Sequence, residues 1–155
     1  NGSDKGHAYV LKAGVLTTID FPGALGSAAH GLNDHGDVVG YYSFENPKPH
    51  APAGNAPIYG FLYRDGAFQT IAFPGAHSTL AIRVNNRGDI AGIYRSSPNA
   101  SFKGFVLIGG HYLSVEFSSG TYTAYGLNDH RQLAGSYYSG SSSQGFVAQV
   151  LAGPK

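Results

Sequence analysis

The chain has 155 residues, enough for one compact domain with a real core and too few for two. Ten basic against nine acidic residues leave a net charge of +1. No Lys or Arg run exists to follow a phosphate backbone, and no apolar run nears the roughly 20 residues that span a bilayer, so neither nucleic acid nor membrane is an expected partner. Cysteine is absent, which excludes disulfides, thiolate nucleophiles and Cys-based metal sites, while 23 glycines, 11 tyrosines and 9 phenylalanines describe an all-β protein.

The first segment, AYVLKAGVLTTIDFPG at 8–23, returns at 60–75 as GFLYRDGAFQTIAFPG. A third version starts at Gly104, and a shortened one, GFVAQV, at Gly145. The segment that follows recurs too: AHGLNDHGDVVGYY from Ala29, AIRVNNRGDIAGIY from Ala81 and AYGLNDHRQLAGSYY from Ala124. One repeat domain follows, with units at about 7–58, 59–103 and 104–144 and a remnant strand at 145–151.

Each unit reads as four short strands, here A to D. Strand A is Tyr9 to Leu11, Phe61 to Tyr63, Phe105 to Leu107 and Phe146 to Ala148. A glycine at 14, 66 or 110 turns A into B, and Asp65-Gly66 is a favoured hairpin pair. Strand B carries Leu16, Phe68 or Tyr112, then Ile19, Ile71 or Val115. Strands C and D form a second hairpin through Asn33-Asp34-His35-Gly36 and Asn85-Asn86-Arg87-Gly88, where Asn can close its own turn. Asp37 and Asp89 follow these turns and are expected to cap backbone amides. In strand D, Val38, Gly40 and Tyr42 share a face, and the glycine makes room for an aromatic ring. The proline-rich stretch from Ser43 to Ile58 is expected to be a surface loop.

Three four-stranded antiparallel units plus one surplus strand read as β-propeller-like blades, with a β-trefoil as the rival. The signature His7-Ala8-Tyr9, the FPGA segments at 21–24 and 73–76, and the GLND and RVNN segments followed by GD resemble the bacterial extracellular repeat family known as HAF. The third copy departs from that pattern at Ser118-Ser119 and Arg131-Gln132. The resemblance implies an exported bacterial protein with propeller-like blades, and it implies no catalytic residues.

Three blades are too few to close a propeller, and strand A occurs once more than B, C or D. If C is the innermost strand, the two ends of the chain are complementary. That predicts self-association, as an oligomer or a filament, through Tyr9, Val10 and Leu11 at one end and Phe146, Val147 and Val150 at the other.

No residue set argues for catalysis, a cofactor or a metal. The seven histidines show no HExxH-like spacing, and Asp20 and Glu116 share a repeat position that Ala72 fills in the second copy. The alternative function is a glycan-binding, lectin-like module with an extracellular saccharide as partner. Tyr41, Tyr125 and Tyr138 are its stacking candidates, and Arg83, where strand C otherwise carries glycine, its anion-holding candidate.

Overall fold

The computed structural model describes residues 6–45, 55–116, 122–139 and 141–151, with only the backbone of 122–125 and 139. It is all-β. Thirteen strands form four antiparallel sheets and no helix is present among the described residues. In chain order they are β1 (Tyr9–Lys12), β2 (Val15–Thr18), β3 (Gly26–Leu32), β4 (Val38–Ser43), β5 (Tyr59–Arg64), β6 (Ala67–Ile71), β7 (Ser78–Val84), β8 (Ile90–Arg95), β9 (Lys103–Ile108), β10 (His111–Val115), β11 (Tyr122–Leu127), β12 (Gln132–Ser139) and β13 (Ser142–Gln149).

Every A, B, C and D strand expected from the repeat is present. The sheets, however, straddle the sequence units. The hairpin β1-β2 stands alone, the first four-stranded sheet runs β3-β4-β5-β6, the second runs β7-β8-β9-β10, and the last is β11-β12-β13. Each complete sheet thus has the order C, D, A, B, with D and the next unit's A paired in register, as in Gly40 opposite Phe61 and Gly92 opposite Phe105.

Turn chemistry explains the hairpins. Ala13-Gly14, Asp65-Gly66 and Gly109-Gly110 all adopt positive φ at both turn residues, the geometry that matches strand twist. In both FPGA segments the alanine amide donates to the phenylalanine carbonyl across a Pro-Gly turn. That turn lays Phe21 on Tyr42, with ring centroids 3.6 Å apart, and Phe73 on Tyr94 at 3.7 Å.

The glycines of strand D do make room for a ring. A Cβ on Gly40 would lie 2.0 Å from the Ala28 carbonyl oxygen and 2.9 Å from the Phe61 ring; on Gly92 the corresponding distances are 2.1 Å to Leu80 and 2.7 Å to Phe105. Phe61 and Phe105 are fully buried as a result.

The sheets pack face to face, and the same core recurs at each interface. Val39 and Leu62 of the first sheet meet Ala81, Val84 and Ile90 of the second. Ala91 and Val106 of the second meet Leu127, Leu133 and Phe146 of the third. Val10 and Ile19 of the hairpin segment meet Val38, Tyr42 and Phe61 of the first sheet. The proline-rich stretch at 46–54 and Ser118-Ser119 lie outside the described residues.

Candidate functional site

The repeat makes the three interfaces comparable residue by residue, and two surfaces stand out as halves of that interface without a mate among the described residues. On the inner strand of the second sheet, Ala81 is 0% and Val84 5% exposed. Their counterparts on β3 are Ala29, which is exposed, and Leu32, which is 68% exposed. β7 packs against β4 and β5, a D strand and an A strand, with β3 and β11 also beside it. On the side of β3 away from β7 stands the A strand β1, and between β1 and β3 lies a cleft of about 300 Å³ whose walls include Tyr9, Val10, Ala29 and Leu32.

The opposite end shows the converse. Val39 and Ala91 are each 0% exposed, Leu62 6% and Val106 0%, because the next sheet covers them. Their counterparts on the last sheet are Ala134, which is exposed, and Val147, 76% exposed. Tyr9 and Leu11 are exposed at the first end, while Phe146 is half-buried and Val150 donates its amide to the Arg131 carbonyl. The assembly residues expected from sequence therefore divide. Val10, Phe146 and Val150 pack internally, whereas Tyr9, Leu11 and Val147 face outward.

Polar groups follow the same periodicity. The Asn33 side chain accepts from the His35 and Asp37 amides, which closes its turn, and donates to the Asp37 carboxylate and to the Asn85 carbonyl of the next sheet. Asn85 repeats the pattern, with its outward bond to the Asn128 carbonyl. Asn128 again accepts from its own turn and donates to Gln132, but it is exposed where Asn33 and Asn85 are buried. This asparagine ladder ties sheet to sheet, since a buried amide must find partners. Asp37 and Asp89 do not cap backbone amides as expected. Asn33 and Asn85 already satisfy those amides, and the carboxylates bind guanidinium groups instead, Arg64 to Asp37 and Arg131 to Asp89. Through the Arg64 hydrogen bonds, with Asn33 and the charges of Arg64 and His35 in support, the Asp37 carboxyl is held below its ordinary pKa although burial pushes it up.

The ligand candidates do not form one site. Arg83 spends its guanidinium on the backbone carbonyls of His30 and Ile82, 3.0 and 2.9 Å away, where β3 approaches β7 closely. The His30 ring stacks on Tyr41, and burial first, then the nearby Arg83 charge, lower its pKa. Burial raises the pKa of the half-buried Tyr41 hydroxyl. Tyr138 is 51% exposed on the last sheet, with the second four-stranded sheet between it and Tyr41. The Tyr125 side chain lies outside the described residues.

Two pairs escape a sequence reading. His7 sits 2.5 Å from Asp20 across the β1-β2 hairpin, and Asp20 also accepts the Ala8 amide. Arg131 reaches Asp89 from a turn position that is glycine in the other copies. Among the described residues no group of three or more His, Asp or Glu side chains is placed to hold a metal. No family model, no curated protein and no solved structure matches this chain.

Proposed function

We propose that the chain is an exported, non-enzymatic structural subunit that associates head to tail with copies of itself, the last sheet of one copy packing on β3 of the next. The observation that carries this reading is the pair of unmated faces, Leu32 with Ala29 and Val147 with Ala134. Each repeats one side of an interface the chain already makes twice internally. Apolar area of this kind at both ends favours burial in a heterologous contact, which gives a ring if the rotation closes and a filament if it does not. Export rests on the resemblance of the repeat to an extracellular family.

Association also has to deal with the surplus strand. In a complete junction, β13 of one copy and β1 of the next occupy equivalent places, so one of the two must leave.

Light scattering on the wild type and on L32D and V147D tests the proposal. Both side chains are more than half exposed, so the monomer tolerates either charge. Wild type associates, each variant alone stays monomeric, and an equimolar mixture stops at a heterodimer that uses the one intact head and the one intact tail. A wild type that remains monomeric through the micromolar range at pH 4.5 as well as at pH 7.5, or variants that associate as it does, would overturn it.

A further inference from the structure

The second residue of the C-D turn reads Asp34, Asn86 and Asp129 in the three copies, and the three touch in series. The Asn86 amide nitrogen donates to Asp34 Oδ2 at 2.7 Å and to Asp129 Oδ2 at 3.1 Å. The backbone joins in, since the Asp34 amide donates to Asn86 Oδ1 at 2.9 Å and the Asn86 amide to Asp129 Oδ1 at 2.7 Å. Inside the chain, the side chains at this second turn position therefore meet as carboxamide to carboxylate. A head-to-tail junction breaks the alternation, because the same geometry brings Asp129 of one copy against Asp34 of the next.

Resting on the head-to-tail reading, we infer that this Asp129 and Asp34 contact makes assembly acid-gated. Two carboxylates at hydrogen-bond distance cannot both stay ionised without cost, and one shared proton turns the repulsion into a hydrogen bond. The junction then takes up a proton as it forms, so by linkage it strengthens as pH falls and weakens as pH rises.

The surrounding charges leave few competitors for that role. Asp37 and Asp89 are committed to Arg64 and Arg131, and Arg87 lies 4.0 Å from Asp89. Asp65 shares a groove with His35, Arg64 and Asn86, where the Arg64 guanidinium lies beside it. His35 and His130 flank the two carboxylates in sequence, and their protonation would set like charges in adjacent turns, which opposes association. Gln132 stands where the other copies have Asp37 and Asp89, so the junction needs no arginine of its own.

Sedimentation velocity at pH 7.5 and pH 4.5 on the wild type, D129N, D34N and H35Q/H130Q tests this, with circular dichroism confirming the fold at each pH. The wild type associates about tenfold or more tightly at the lower pH. D129N and D34N each restore an amide-to-carboxylate contact, so both associate at pH 7.5 as the wild type does at pH 4.5. The double histidine variant keeps the acid dependence. Equal association of the wild type at both pH values, or aspartate variants that retain its pH dependence, would overturn the gate while leaving head-to-tail assembly intact. Monomers of every chain at both pH values would overturn the assembly reading itself.

Discussion

Arg131 donates from its guanidinium to both oxygens of Asp89, at 2.9 and 3.3 Å, and does so from a backbone with φ of 59° at a turn position that is glycine in the other two copies. In the preceding sheet the same service comes from another strand. Arg64, at the end of β5, binds Asp37 and passes 3.2 Å from where a side chain on Gly88 would begin. The position equivalent to Arg64 in the second sheet is Ile108. Each buried carboxylate thus keeps one arginine that reaches both its oxygens, supplied in one case by the A strand and in the other by the next sheet's turn, with Arg87 a longer 4.0 Å from Asp89.

Exchanging the two solutions is an informative experiment. R131G relieves a left-handed backbone strain of about 1 kcal/mol but leaves Asp89 buried beside no bidentate cation. Its melting temperature falls by several degrees despite the relief. Adding I108R places a guanidinium where Arg64 sits in the first sheet, and thermal unfolding of the double variant regains most of the loss. A double variant no better than R131G would show that the two slots are not equivalent.

The contrast also marks what sequence can reveal. Strand positions, the hairpin pairs and the role of Gly40 and Gly92 were readable, because period-two alternation and turn glycines are local signals repeated three times. The Arg131 to Asp89 pair was not, because the repeat aligns Arg131 with glycines and hides a compensation that only the stacking of sheets brings about. Asp37 was misread for a related reason: Asn33 already closes the turn, so the aspartate is free to face a guanidinium 27 residues away in sequence. The His7 and Asp20 contact depends on the hairpin register, and the exposure of Leu32 at the repeat position of the buried Val84 depends on what lies beside it.

The Asp37 and Arg64 pair predicts a pH effect with a definite sign. The folded-state pKa of Asp37 is depressed, so its contribution is fully present above the ordinary carboxylate value of about 4 and is lost as pH falls through the lower folded value. Because Arg64 is 46% exposed and screened by solvent, the pair stabilises by about 1 kcal/mol. Urea midpoints of wild type and R64Q therefore differ at pH 7 and converge toward pH 3. A gap that stays constant across that range would assign the R64Q effect to packing.

Close backbone approach sets a steeper penalty at the strand D glycines. G40A would force a Cβ against the Ala28 carbonyl, which is backbone and cannot swing away, and against the Phe61 ring. The expected cost is about 3 kcal/mol or more. G14A is the comparison: its φ is +80° but nothing lies within 4 Å of the added methyl, so only the conformational cost of about 1 kcal/mol applies. Equal denaturation midpoints for the two variants would refute the packing account.

Which surplus strand leaves on assembly follows from the pairing each would lose. β1 is held to β2 over four residues, while β13 is held to β12 over eight and is anchored further by the Val150 amide and the Gln149 side chain. Losing β1 costs about half the ladder, so on the proposed head-to-tail assembly β1 is the strand expected to leave, with β2 re-pairing to β13 of the neighbouring copy to complete a four-stranded sheet. The side chains fit that exchange. Tyr42 bonds Thr70 of its sheet's outer strand and Tyr94 bonds Ser114, whereas Tyr137 turns its hydroxyl to Gln144. Thr18 on β2 stands at the repeat position of Thr70 and Ser114, so re-pairing would set it beside the neighbouring copy's β13 as they stand beside β5 and β9. Hydrogen exchange on assembly should accordingly quicken at residues 9–12 and slow at 143–149. The reverse pattern would mean that the β1-β2 hairpin docks whole and β13 is the strand expelled.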